Sequence, residues 1–373
     1  MDHLSDPQSA IHASRNTASA GHVPALDGLR GMAILMVLLW HYVGSSQSIF
    51  PGWAGVDLFF VLSGFLITWR LRATRHRPNY LTTFYRNRAL RVLPVYYTVV
   101  SCFFLAIHLL VKPQHLSTFD TYVLHIPSFL IFTQNWTFVR FPLPRDLSLG
   151  PLWSIAVEVQ LYIVWPFLLR LTRNMKYRIR TFLVLFVLVL LARCLVYLGF
   201  PRTGDSFYYN TFFRMDSFLA GSLVYLWHES LLKIDVNKVR ASMAILLTLL
   251  IAGGLFTRNL SPYSPFFTTV GYSITAAFFA CILHLAVSGR RVPAFLDGKL
   301  LRYFGKISYC LYIIHFPILQ VVASRFRRLG SDWWPDHNDF FHWTAIAFSL
   351  LLSLLLSTLS YRYFESYFLR LKK

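Results

Sequence analysis

The chain has 373 residues, of which 55% are hydrophobic, 17% aromatic and only 14% charged. Its mean hydropathy is +0.49, and a soluble domain carries about 25% charged residues, so a large soluble core is excluded. A formal net charge of +20, from 36 Lys and Arg against 16 Asp and Glu, would point to nucleic acid in a soluble protein. Here the cations cluster between apolar runs, so they read as orientation signals in a membrane, with no nucleic-acid role. Contact with anionic lipid or an anionic ligand is the second reading of that charge.

Residues 1–22 are polar and rich in Ser and Ala, without the apolar core of a signal peptide. They read as a disordered cytoplasmic tail. A spanning helix needs roughly 20 residues. In chain order the apolar runs predict about ten: 26–44, 54–71, 91–111, 152–170, 180–199, 211–228, 240–257, 267–288, 300–323 and 341–363. The stretch 121–133 is apolar but short, and reads as re-entrant or interfacial. The expected fold class is an all-α polytopic membrane protein. One membrane domain covers 23–366 and a basic cytoplasmic tail covers 367–373. Cys102, Cys194, Cys281 and Cys310 lie inside apolar runs without metal-ligand spacing and read as buried thiols, with no metal expected.

Basic residues set the orientation. Arg70, Arg72, Arg75, Arg77, Arg86, Arg88 and Arg91 follow the second run, and Arg170, Arg173, Lys176, Arg178 and Arg180 follow the fourth. Lys233, Lys238 and Arg240 follow the sixth, Arg290, Arg291, Lys299 and Arg302 the eighth, and Arg370, Lys372 and Lys373 the tenth. Every second loop is basic, which places those loops and both termini in the cytoplasm of a bacterial plasma-membrane protein. The basic segment "SRFRRLG" at 324–330 is the exception.

Ionisable residues within the spans are functional candidates. On this topology His41, Asp57, Glu158 and Asp216 fall at similar depth toward the outer side, and Arg30, Arg70, Arg86, Arg88 and Arg91 toward the inner side. Arg30 and His41 are eleven residues apart, about three turns and about 16 Å, and share one helix face. Simpler readings compete. Asp27 and Arg30 have the spacing of a local ion pair, the inner arginines can be orientation signals alone, and Asp57 and Asp216 suit helix N-termini. His315 on the ninth run reads either as a site residue or as a packing histidine.

The segments "ALDGLRGMAILMVLLWHY", "GVDLFFVLSGFLITWRL", "FYRNRALRVLPVYY", "PLWSIAVEVQLYIVWP", "RMDSFLAGSL", "GKISYCLYIIHFPIL" and "SYRYFES" together resemble the acyltransferase-3 family of membrane acyltransferases, in the family's order. The resemblance implies ten or eleven helices and transfer of an acyl group, usually acetyl from acetyl-CoA, to a hydroxyl of a glycan, glycolipid or related acceptor. The family's arginine–histidine motif falls on Arg30 and His41, and its paired-arginine motif on Arg88 and Arg91, where it implies binding of CoA phosphates. Its fourth-helix motif has two adjacent glutamates; here Glu158 is followed by Val159, so a second carboxylate has no counterpart. No hydrolase-like extracytoplasmic domain is appended, so the membrane domain is expected to work alone or with a separate partner.

The chemistry expected of these residues is acyl transfer from a thioester to an alcohol. His41 suits the general base, with Asp57, Glu158 or Asp216 orienting it. An acyl-histidine route stays open. Arg30, Arg88 and Arg91 suit the donor's phosphates. A transporter or flippase, and a non-catalytic scaffold for glycan assembly, remain the competing function classes.

Overall fold

The computed structural model describes residues 23–43, 51–110, 125–140, 149–172, 174–199, 204–289, 294–333 and 338–372. The tail expected over 1–22, and residues 121–124 of the short apolar stretch, lie outside them. The described residues form helices and turns with no strand. In chain order the helices are α1 (Pro24–Val43), α2 (Gly55–Thr74), α3 (Tyr80–Leu110), α4 (Gln134–Arg140), α5 (Trp153–Leu171), α6 (Met175–Gly199) and α7 (Gly204–Tyr209). They continue with α8 (Thr211–Leu226), α9 (His228–Leu231), α10 (Val236–Phe256), α11 (Tyr272–Val287), α12 (Lys299–Trp333), α13 (Asn338–Leu359) and α14 (Ser366–Arg370).

Among the described residues, 9 helical segments are long and apolar enough to cross a membrane. They match the runs predicted from sequence except 211–228. That run is α8, with 16 residues, about 24 Å long against a hydrocarbon core of about 30 Å. The Asn210 side chain caps its start by accepting from the Phe212 amide, and the helix stops at Trp227 before the single turn of α9. The described part of the short apolar stretch, 125–133, is helical over 125–130, about 9 Å against a hydrocarbon core of about 30 Å. The hydroxyls of Tyr96 and Tyr97 on α3 donate to the carbonyls of Phe129 and Leu130 and tie it down.

A second departure bears on the site. The run predicted to begin at 91 begins at Tyr80, and α3 has 31 residues. Arg88 and Arg91 therefore lie two to three turns inside a helix. The thiols also differ from expectation. Cys310 is buried, Cys194 and Cys281 are half-buried, and Cys102 on peripheral α3 is exposed.

The most extensive helix contacts are α1 with α12, α12 with α13, and α2 with α8. The α1–α12 crossing is close because both helices bring a glycine to it. A Cβ on Gly31 would stand 2.0 Å from the Leu301 carbonyl oxygen, and one on Gly305 would stand 1.9 Å from that of Asp27. Backbone-to-backbone packing of this kind suits helices in lipid, where apolar burial between helices adds little drive. It leaves α1 and α12 running side by side in one direction, with His41 and His315 meeting further along.

Candidate active site

The site has three parts. The first is a narrow cavity of about 90 Å³ enclosed by α1, α2, α3, α5 and α12. Arg30, Arg88 and Arg91 line it together with Glu158. One carboxylate oxygen of Glu158 accepts from Ser63 of α2 and from Tyr162, one turn further along α5. The Arg88 guanidinium lies 5.0 Å from the Tyr162 ring centroid and 5.6 Å from that of Phe84, within cation–π range. Arg30 also makes the local ion pair with Asp27, at 2.7 Å. Arg30 thus has the ion pair its spacing predicts and also a place in the cavity lining. The sequence reading separated Glu158 from the arginines by depth; the early start of α3 carries Arg88 and Arg91 inward to meet it.

The second part is a histidine pair. His41 Nδ1 lies 3.1 Å from His315 Nε2 and 3.1 Å from the Val37 carbonyl. His315 Nδ1 lies 2.8 Å from the Tyr312 carbonyl and 3.1 Å from that of Leu311. Carbonyls only accept, so His315 carries its proton on Nδ1, and its Nε2 is a lone pair. That lone pair and the Val37 carbonyl both require a proton on His41 Nδ1. By elimination the lone pair of neutral His41 is on Nε2. Tyr312 joins the two parts, since it lines the narrow cavity and its ring centroid is 5.9 Å from that of His315.

The third part takes up the other two acids. Asp57 accepts from Arg214 at 2.8 Å and from Ser217 at 2.9 Å. Asp216 accepts from Arg193 at 2.8 Å and Ser273 at 2.8 Å. All four charged side chains of these two pairs are fully buried, and Arg214 lies 4.0 Å from the Tyr272 ring centroid. Neither aspartate bonds to His41, and neither does Glu158. The depth argument placed these acids near His41, but depth leaves azimuth open. The partner that holds the His41 ring is His315, which the sequence leaves open between a site residue and a packing histidine.

One cation on the arginine side was not anticipated. Arg86 donates to the Leu371 carbonyl at 2.9 Å, which holds the segment after α14 against α3. Burial, with the charges of Arg91, Arg88, Arg70 and Arg30, pushes the Lys372 ammonium down to about 7. The cations of this cluster outnumber the carboxylates of Asp27, Glu158 and Glu365 beside them, and the excess positive charge favours an anion. Among the described residues no group of His, Cys, Asp and Glu is placed to hold a metal ion.

The structure is thus a polytopic helical membrane protein with a cavity lined by arginines and a carboxylate, joined through Tyr312 to a histidine pair. The chain belongs to the acyltransferase-3 family, whose acyltransferase domain matches residues 23–362. It is 30% identical over 345 residues to the peptidoglycan O-acetyltransferase OatA of Listeria monocytogenes, covering 85% of this chain and 52% of that protein. It is 27% identical over 369 residues to the O-acetyltransferase OatA of Staphylococcus aureus, covering 93% of this chain and 57% of that protein. The chain thus spans about half the length of these relatives. No solved structure matches it.

Proposed function

We propose that the protein is a plasma-membrane O-acetyltransferase that moves acetyl from cytoplasmic acetyl-CoA to a hydroxyl of an extracytoplasmic glycan or glycolipid. The observation that carries this reading is the His41–His315 pair, with His41 Nε2 making no hydrogen bond to a described residue, joined through Tyr312 to the cavity that Arg30, Arg88 and Arg91 line. The names of the relatives support the acceptor class, and the alternation of basic loops supports a cytoplasmic donor side.

In this mechanism the acceptor oxygen attacks the thioester carbonyl while His41 Nε2 takes the hydroxyl proton. The C–O bond forms, the C–S bond breaks, and the CoA sulfur leaves with the electron pair. His41 then carries two protons, and its Nδ1–H stays on His315 and Val37. A neutral imidazole and a carbonyl do here what a carboxylate does in a Ser-His-Asp site. Arg30, Arg88 and Arg91 act at the donor end. We assign the narrow cavity they line to the donor's thioester arm. Glu158 is a positioning residue, since through Tyr162 it sets the ring on which Arg88 rests. The direct test is transfer of labelled acetyl from acetyl-CoA to a soluble glycan acceptor by the protein reconstituted in liposomes. A reconstituted protein that moves solute across the bilayer and never labels an acceptor would overturn the reading.

Two expected results concern the donor end. Charge-assisted hydrogen bonds contribute about 1.5–3 kcal/mol each, so Arg88→Ala and Arg91→Ala should each raise the acetyl-CoA KM roughly tenfold or more, with kcat less affected. Steady-state kinetics at fixed acceptor checks this. Lys372 is charged below about 7 and neutral above, so it adds a cation to the cluster only on the acid side. Donor affinity in the wild type should therefore fall more steeply with rising pH than in Lys372→Gln. Parallel pH titrations of CoA binding measure the difference, in which the titration of CoA itself cancels.

A further inference from the structure

A second cavity, of about 520 Å³, lies where the end of α2, the start of α3, the end of α5 and the start of α6 converge. Arg72, Arg75, Arg170 and Arg178 line it, with no Asp or Glu among its described lining residues. Arg178 is 4% exposed and is fixed by donating to the carbonyls of Leu169 and Thr172. Arg170 donates to the Tyr80 hydroxyl at 2.8 Å. Half-buried Arg72 makes no hydrogen bond or ion pair with any described residue. The Thr172 hydroxyl, also in the lining, is a buried oxygen without a partner.

Orientation in the membrane explains arginines in this loop but not this arrangement. Four like charges from the ends of three helices, α2, α5 and α6, around one cavity repel one another. A buried hydroxyl left without a partner adds the cost of its desolvation. Both costs are offset when an anion with several oxygen acceptors sits in the cavity, and the guanidinium fork suits phosphate best. We propose that this cavity is a phosphate-binding site separate from Arg30, Arg88 and Arg91.

Its place in the fold narrows the source to two. Tyr80 precedes Arg88 by eight residues on α3, and Arg170 follows Tyr162 by eight on α5. The larger cavity is therefore stacked about 12 Å beyond the narrow one along the same wall. The phosphorylated nucleotide end of a CoA donor, whose thioester arm enters the narrow cavity, fits that offset; this source rests on the function proposed above. The headgroup of an anionic phospholipid at the bilayer edge offers the same chemistry without resting on it.

The test compares the wild type with Arg72→Gln/Arg75→Gln/Arg170→Gln, leaving the structural Arg178 intact. Coenzyme A binding is measured by calorimetry in nanodiscs of phosphatidylcholine alone. Retained phosphatidylglycerol is counted by native mass spectrometry after reconstitution in a phosphatidylcholine–phosphatidylglycerol mixture. The triple variant is expected to lose at least about tenfold, or 1.4 kcal/mol, in one of the two. Weaker CoA binding identifies the nucleotide end, and lost phosphatidylglycerol identifies the lipid. If neither protein binds CoA while the variant sheds phosphatidylglycerol, the donor reading fails and the phosphate site stands. Unchanged binding of both probes overturns the proposal. Should the triple variant unfold, Arg72→Gln alone decides by the same two readouts, because that side chain has no hydrogen bond or ion pair with a described residue to lose.

Discussion

His41→Ala is expected to lower acetyl transfer by roughly 10²–10⁴-fold, the usual contribution of a general base, with membrane abundance and CoA binding near normal. The ring nitrogen it removes is the one left free by the chain of hydrogen bonds from the Tyr312 carbonyl through His315 to His41. Wild-type activity should fall as acid protonates that nitrogen. His315 works through His41 and does not meet the acceptor, so His315→Ala should cost less and should act on kcat rather than on KM. It should also move the pH profile, because the Nδ1–H of His41 loses one of its two acceptors. His315→Gln, which returns an acceptor at similar reach, should recover part of the rate. A stable His41→Ala protein turning over at the wild-type rate would sink the mechanism.

Asp57→Ala is expected to fail differently. It leaves Arg214 charged and fully buried with no counter-ion, and breaking such a pair costs about 3–5 kcal/mol. The result should be a lower unfolding midpoint in detergent and low abundance, with activity per folded molecule close to normal. Replacing both partners, Asp57→Leu with Arg214→Met, should restore much of the stability, since a buried pair often gives way to apolar residues of similar volume at little cost. If Asp57→Ala instead folded normally and lost only kcat, the carboxylate would belong to the chemistry after all.

These two experiments fall on opposite sides of what periodicity can reveal. Arg30 and His41 were legible as a pair because eleven residues return a helix to one azimuth, and α1 is an ordinary apolar helix over its whole length. The start of α3 was hidden by its charge. Arg86, Arg88 and Arg91 lower the hydropathy of its first turns, so the apolar run appears to begin at 91 although the helix begins at Tyr80. The break at Trp227 was hidden for the opposite reason, because apolar residues continue across it. Asp57 and Asp216 have the right depth for His41, but which neighbour a side chain meets depends on how α2, α6 and α8 rotate against one another. Nothing local in the sequence states that. His315 is a similar case: one histidine on an apolar helix reads the same whether it packs or pairs, and only the crossing of α1 with α12 separates the two.

That crossing has a mechanical consequence. Gly31 to His41 and Gly305 to His315 are both ten residues, so the vertex and the imidazoles are joined by two arms of equal length, each about 15 Å. A tilt of about 5° at the vertex swings the end of such an arm by about 1.3 Å. An error of about 1 Å in a reacting group can cost 10²-fold in rate. A single methyl at Gly305, which would meet the Asp27 carbonyl oxygen at 1.9 Å, is therefore a lesion in alignment delivered from three turns away. Gly305→Ala should slow turnover although every side chain of the site keeps its identity, and because the methyl meets backbone atoms of Asp27, no smaller residue at that position should bring the two arms back into register.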